Sequence, residues 1–272
     1  MKRRSFPNVY LMIQAIKFLG ENGPSSKENL FDFLRDFVDK EKLEKKKKLE
    51  GSTDDVLFNL KVLQFVKEKD EKVALTPQVI HSLIRLYSGQ QIYLAYTRHD
   101  MTNVFDMIQT NSLFFSPEIR DIAAFIIKRG YEADKNTIRH YFTKRTVFNH
   151  TFNSFTIDTS LTQLERLEIT RKKSLENGKT SGIVYKLEKF HPLIFTQLLI
   201  EEYLALKSDD LTVHKPAIQE CFSLKYNINY KEFDDQFVFL KTTLIPALVI
   251  PGSYEKFSLN MEVAKELNLY EW

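Results

Sequence analysis

Residues 52–76 read STDDVLFNLKVLQFVKEKDEKVALT, and the reading of this stretch decides the fold. Leu57, Leu60 and Leu63 recur at helical spacing and predict a helix that starts at Ser52 or Thr53. After Val66 the pattern changes to VKEKDEKVAL, which predicts a short hairpin turning near Asp70 and Glu71, with a return strand over residues 73–75. A leucine-striped helix therefore ends in a turn that leads directly into a hairpin.

Upstream, Val9, Met12, Ile13, Ile16 and Leu19 form an apolar stripe over residues 8–19, and Gly20 and Gly23 stop that helix. A second helix follows, for which Ser25 and Glu28 have the spacing of a capping box and Leu30, Phe31, Leu34, Phe37 and Val38 supply the buried side. A lysine-rich connector over residues 40–48 intervenes; it reads as a solvated loop or helix extension, or as a non-specific phosphate grip. Three helices followed by a hairpin wing resemble the winged helix-turn-helix family over roughly residues 8–80. The resemblance implies a binding module.

The same order occurs twice more, and a recurring organisation carries more weight than any short motif. In the middle of the chain Ser116-Pro117 opens a helix that ends at Gly130. Asp134 caps a second helix expected to run through Arg145. A third, expected from about Asp158, bears Leu161, Leu164, Leu167 and Ile169 before a wing over residues 172–187 turning at Asn177-Gly178. Near the end, helices are expected over residues 192–206, 215–226 and 230–244, with wing strands at 245–250 and 256–259 and a turn at Pro251-Gly252. Asp54, Asp55, Leu57, Leu60 and Lys61 recur as Asp234, Asp235, Phe237, Leu240 and Lys241 at one fixed offset. The expected class is mainly α with small β-hairpin wings (α+β). Three consecutive winged-helix-like units are expected over residues 1–86, 116–190 and 191–272, with a helical connector over 87–115.

The chain has 272 residues, 43% of them hydrophobic and 13% aromatic, enough for packed cores. Its net charge is +3, from 39 basic and 36 acidic residues, so electrostatic binding has to come from local patches. The single cysteine, Cys221, the absence of an apolar leader after Met1-Lys2-Arg3-Arg4 and the lack of a run of some 18 apolar residues lead to the expectation of a cytoplasmic protein with no membrane partner. None of the eight glycines has the spacing of a phosphate-cradling loop. The histidines at 81, 99, 140, 150, 191 and 214 do not group with Cys, Asp or Glu, and Cys221 sits among apolar neighbours. Adjacent acids such as Asp54-Asp55, Glu201-Glu202 and Asp234-Asp235 point about 100° apart on a helix. No cofactor, no metal and no enzymatic activity are expected.

What remains is binding. The third helix of the first unit shows Asp54, Asp55, Phe58, Asn59 and Val62 away from its leucines, and that of the last shows Glu232, Asp234, Asp235 and Phe239. Both suit a protein contact better than a polyanion, with Phe58, Val62 and Phe239 as candidate interface residues. The middle unit carries Lys135, Arg139, Lys144, Arg145, Arg166, Arg171, Lys172, Lys173 and Lys179, with no acidic residue between 135 and 157. This set reads either as a phosphate clamp, with Gln163 and Arg166 offered to a base edge, or as a solvated face interleaved with Glu165, Glu168 and Glu176.

A multi-unit winged-helix chain of this kind resembles the accessory subunits of SMC-type complexes. It also resembles the middle components of bacterial ABC-type three-component defence systems. The resemblance implies other protein subunits as partners, an SMC-like ATPase and a nuclease among them, double-stranded DNA nearby, and a role in antiviral defence. The competing readings are a stand-alone transcriptional regulator and a replication initiator. Acidic reading helices in the first and last units speak against the regulator, and an initiator with tandem winged helices needs a strongly basic face along two units.

Overall fold

The Asn8 side chain accepts the Tyr10 N–H at 2.9 Å and starts α1 (Val9–Asn22), which ends where Gly23, at φ 69°, returns its N–H to the Leu19 carbonyl. Only a residue without a side chain adopts that backbone cheaply. A computed structural model of the chain describes residues 7–45, 53–77, 79, 98–147, 150–177, 180–188, 190–207 and 212–270. The chain divides into two compact units, Met1–Phe115 and Ser116–Trp272. It is mainly helical, with small antiparallel sheets.

In the first unit α1 is followed by a two-residue strand β1 (Ser25–Ser26), α2 (Lys27–Lys45), α3 (Thr53–Val62), and the hairpin β2 (Val66–Lys69) and β3 (Lys72–Leu75). Asp70 and Glu71 both have positive φ, 50° and 61°, the backbone of the tight hairpin turn expected there. The cap of α2 differs from expectation. Ser26, not Ser25, accepts the Asn29 N–H, at 3.2 Å, because Ser25 is buried in β1 opposite Val73. Met12, Ile16, Leu30, Leu34, Val56, Leu60, Phe65 and Val73 close the core, all at 1% exposure or less. The helix α4 (Arg98–Phe115) packs on α1, and its Asn111 amide donates to the Leu63 carbonyl at 3.0 Å. The rest of the expected connector, and residues 46–48 of the lysine run, lie outside the described residues; the helical backbone of α2 extends to Lys45.

The second unit opens with α5 (Pro117–Lys128), β4 (Glu132–Asp134) and α6 (Lys135–Phe142), the last capped by Asp134 through the Thr137 N–H at 2.9 Å. The helix α6 stops three residues short of Arg145. Lys144 takes φ 70° and donates its N–H to the Phe152 carbonyl, while Phe152 N–H donates to the Arg145 carbonyl, so that β5 (Thr146–Val147) and β6 (His150–Thr151) form a small extra hairpin. Asn153 then caps α7 (Ser154–Arg166), earlier than the Asp158 start expected from the leucine stripe. The hairpin β7 (Thr170–Asn177) and β8 (Thr180–Leu187) follows; its turn lies outside the described residues.

The same unit continues with α8 (Pro192–Leu206), β9 (Val213–His214), α9 (Lys215–Tyr226) and α10 (Tyr230–Phe239), and a five-residue π turn at Leu240–Leu244. The hairpin β10 (Val249–Pro251) and β11 (Lys256–Leu259) and a final helix α11 (Met261–Glu266) complete it. Pro251 ends the strand, and the reversal falls at residues 252–255, where Gly252 sits so close to the chain that an added Cβ would lie 3.1 Å from the Lys256 carbonyl oxygen.

One topology occurs three times. Each sheet has the second hairpin strand in the middle: β1-β3-β2, β4-β8-β7 and β9-β11-β10. Each third helix closes with the same backbone bond, Phe65 to Leu60, Ile169 to Leu164 and Ile245 to Leu240, at 2.8, 3.0 and 2.9 Å. This six-residue closure satisfies a carbonyl at the helix end and aims the chain into the hairpin.

Candidate functional site

The cations of residues 135–173 divide into two groups. Lys135 and Arg139, both on α6, converge on Asp158 of α7. Lys135 Nζ stands 3.1 Å from its carboxylate, Arg139 Nε donates to Oδ1 at 3.1 Å, and Arg139 Nη2 donates to Oδ2. Burial raises the Asp158 carboxyl, but the hydrogen bonds and charges of Arg139 and Lys135 outweigh it and hold the group below its ordinary range. Asp158 lies one residue beyond the acid-free window of the sequence and supplies the counter-charge that the window lacked.

Lys144 and Arg145 are exposed at the entry to the β5–β6 hairpin, and the Arg145 guanidinium stacks 3.7 Å from the Tyr141 ring centroid. Arg171, Lys172 and Lys173 are exposed on the edge strand β7, and Lys173 Nζ lies 3.5 Å from Glu132. Across that sheet Arg171 faces Lys186, which faces Glu132. Gln163 does not reach the surface. It is 9% exposed because it lies on the packed side of α7 with Ser160 and Leu164, so its expected contact with a base edge is withdrawn. Arg166 is half-buried, and Lys179 lies outside the described residues. The exposed cations thus belong to hairpins more than to α7.

The apolar candidates also divide. Val62 is 43% and Phe239 41% exposed, whereas Phe58 is half-buried. Of the other exposed large apolar side chains, Tyr141 and Phe155 lie in the middle of the chain and Leu206, Leu224, Tyr230, Val238, Ile250 and Tyr254 in its last third.

A polar network absent from the sequence reading lies inside the second unit. Arg120 of α5 is completely buried, donates through Nε to Gln197 Oε1 of α8 at 2.9 Å, and reaches the Asn268 carbonyl through Nη2. Gln197 Nε2 in turn donates to Asp121 Oδ1. Asp121 lines a recess of about 170 Å³ with Phe125, Tyr141, Arg145, Tyr270 and the Lys128–Glu201 ion pair. Two adjacent charges inside the otherwise apolar run Ile119 to Ile127 were the sequence signal for it.

Burial pushes the Asp121 carboxyl from 3.8 up to about 6, more than the Gln197 hydrogen bond and the charge of Arg120 lower it. The folded chain then holds this proton more tightly than the unfolded one, so stability falls as pH rises from about 4 to about 6 and stays reduced above that. A shift of about two pH units corresponds to about 3 kcal/mol. Asp121→Asn is expected to flatten this part of the profile, and denaturant melts at pH 4.5, 5.5, 6.5 and 7.5 check it, since wild-type and variant curves that run parallel contradict the assignment.

Other polar groups have structural partners. His191 caps α8 by accepting the Leu193 N–H on Nδ1 at 3.2 Å. Buried Glu202 accepts from Tyr226 Oη and Lys225 Nζ, both at 2.6 Å. Burial raises the half-buried Cys221 thiol. Among the described residues no three His, Cys, Asp or Glu side chains gather as a metal ion requires, and no helix is long and apolar enough to cross a membrane. No protein-family model matches the chain, and no curated protein matches it.

Proposed function

We propose that this protein is a non-catalytic binding subunit made of three consecutive winged-helix units, which bridges partner proteins and touches DNA backbone within a multi-protein assembly. The observation that carries this reading is the threefold recurrence of helix, strand, helix, helix and hairpin, with one sheet order and one helix-closing bond. The resemblance to SMC-complex accessory subunits and to middle components of three-component defence systems supplies the partner class, an SMC-like ATPase and a nuclease. Surface chemistry divides the labour. Val62, Phe239 and the other exposed apolar side chains favour protein contact, while Lys144, Arg145, Arg171 and Lys172 favour phosphates. Buried Gln163 and neutralised Lys135 and Arg139 favour weak, sequence-tolerant DNA contact over base reading.

The test is co-purification of the tagged full chain from its native cells, beside the double variant V62S/F239S. Each apolar side chain buried at an interface contributes roughly 1.5 to 3 kcal/mol, so the variant is expected to hold its partners about tenfold more weakly or worse, with an unchanged melting temperature. Full retention of every partner, or a large fall in melting temperature, overturns the assignment. In the same preparations, reversing the charge of Lys144, Arg145 and Lys172 is expected to lower duplex DNA affinity and its salt slope; affinity constant from about 50 to 200 mM salt contradicts a phosphate contact.

A further inference from the structure

A groove of about 480 Å³ opens between α10, the π turn and the last hairpin. Its floor is apolar, with Phe237 and Phe257 edge to face at 4.9 Å between centroids and Pro246, Val249 and Pro251 beside them. Lys215, Lys241 and Lys256 stand around it with one carboxylate, Glu255. The ammonium groups of Lys215 and Lys241 lie 5.8 and 5.9 Å from the centroid of the same Phe237 ring. The ring face attracts both cations, but two like charges gathered on one ring repel each other. Lys215 is answered by Asp234 at 2.7 Å; Lys241 and Lys256 enter no ion pair among the described residues. The groove therefore presents positive charge over an apolar floor without an internal counter-charge of matching size.

The adjacent strand edge does not offer a full backbone ladder. Asn260 N–H to Leu248 and Gly252 N–H to Lys256, both 2.8 Å, fix which residues of β10 face β11, so the outward backbone groups belong to Val249 and Pro251. Pro251 has no N–H to give, which weakens pairing with an added strand. Recognition at this edge falls to side chains.

We propose that this groove docks an acidic segment of a partner protein bearing a leucine or aromatic anchor. The anchor lies against the floor formed by Phe237, Val249 and Phe257, and carboxylates beside it meet Lys241 and Lys256. This rests on the reading of the last third as a partner-binding part of the chain and names the chemistry of what it holds. The pocket volume suits such an anchor. A nucleic-acid strand fits worse, because Glu232, Asp234 and Asp235 on α10, together with Glu255, repel a continuous run of phosphates, whereas a peptide can place its carboxylates away from them.

The full chain is titrated by fluorescence anisotropy with a labelled peptide, GDEDLFEDDG, with the same peptide carrying Ser in place of Leu and Phe, and with a short single-stranded DNA. The first peptide is expected to bind at least about tenfold more tightly than the Ser peptide, and K241E/K256E is expected to weaken it about tenfold or more with unchanged thermal melting. Equal binding of the two peptides, indifference to both lysines, or DNA binding with the same dependence on them overturns the proposal. Loss of native partners by V62S/F239S, with the peptide indifferent to the lysines, rejects the groove alone. Lysine-dependent peptide binding with partners fully retained by V62S/F239S rejects the broader assignment of the apolar surface.

Discussion

Arg120→Ala is expected to cost the second unit about 3 to 5 kcal/mol, the range for removing one partner of a buried charge network, against a total stability on the order of 5 to 15 kcal/mol. The side chain is fully buried, and its loss leaves the buried Gln197 oxygen without its donor and removes the bond to the Asn268 carbonyl. It also removes the positive charge that lowers the Asp121 carboxyl, so that group is expected to titrate still higher in the variant. Burial depresses the guanidinium itself to about 10, which leaves it charged at neutral pH. Urea unfolding of the full chain, followed by circular dichroism and by calorimetry, measures the loss. The control is the pair Arg120→Met and Asp121→Asn, which replaces the buried charges by groups of similar shape and is expected to recover most of the stability. A cost below about 1 kcal/mol for the alanine variant, or no recovery in the pair, contradicts this account.

Phe222→Ala is expected to be comparably damaging for a different reason. Phe195 of α8, Phe222 of α9 and Phe233 of α10 are fully buried and meet with ring centroids 5.1, 5.2 and 5.0 Å apart, and Tyr226 adds a fourth ring 5.1 Å from Phe222. Three helices thus share one aromatic joint, and deleting its central ring leaves a cavity with a cost of about 3 to 5 kcal/mol. Phe222→Leu keeps most of the volume and is expected to cost about 1.5 kcal/mol or less. The ratio of the two losses in denaturant titrations is the diagnostic quantity. Equal losses would mean that packing volume is not what this ring contributes. Because α10 also forms a wall of the lysine-rimmed groove, Phe222→Ala is expected to weaken the docking of the acidic peptide, while Phe222→Leu preserves it.

Local features of the chain were legible without coordinates because their causes are local. The hairpin after Leu63 announced itself through a change of period and a two-residue charged turn, and Asp70 and Glu71 occupy it. Pro117 and Gly130 bracket α5, and Asp134 caps α6, because caps satisfy backbone groups within a few residues. Strands of two residues such as β1 and β9 have no period to detect and exist only through partners elsewhere in the chain. The expected start of α7 at Asp158 failed similarly: the leucine stripe marks the buried face, while Asn153 marks the beginning.

The candidate site was legible by composition and not by arrangement. The sequence by itself determined which residues are charged, which are apolar, and that a helix-and-hairpin pattern recurs, since those depend on side-chain chemistry and short-range periodicity. Only the tertiary structure decided which cations are already neutralised, because Asp158 meets Arg139 across 19 positions through the packing of α7 on α6. It alone buried Gln163, half-covered Phe58, joined Arg120 to Gln197 across 77 positions, and gathered Lys215 and Lys241 on one ring. A side chain's neighbours, and therefore its charge balance and its access to a ligand, are properties of packed elements brought together in space, which no short window of sequence contains.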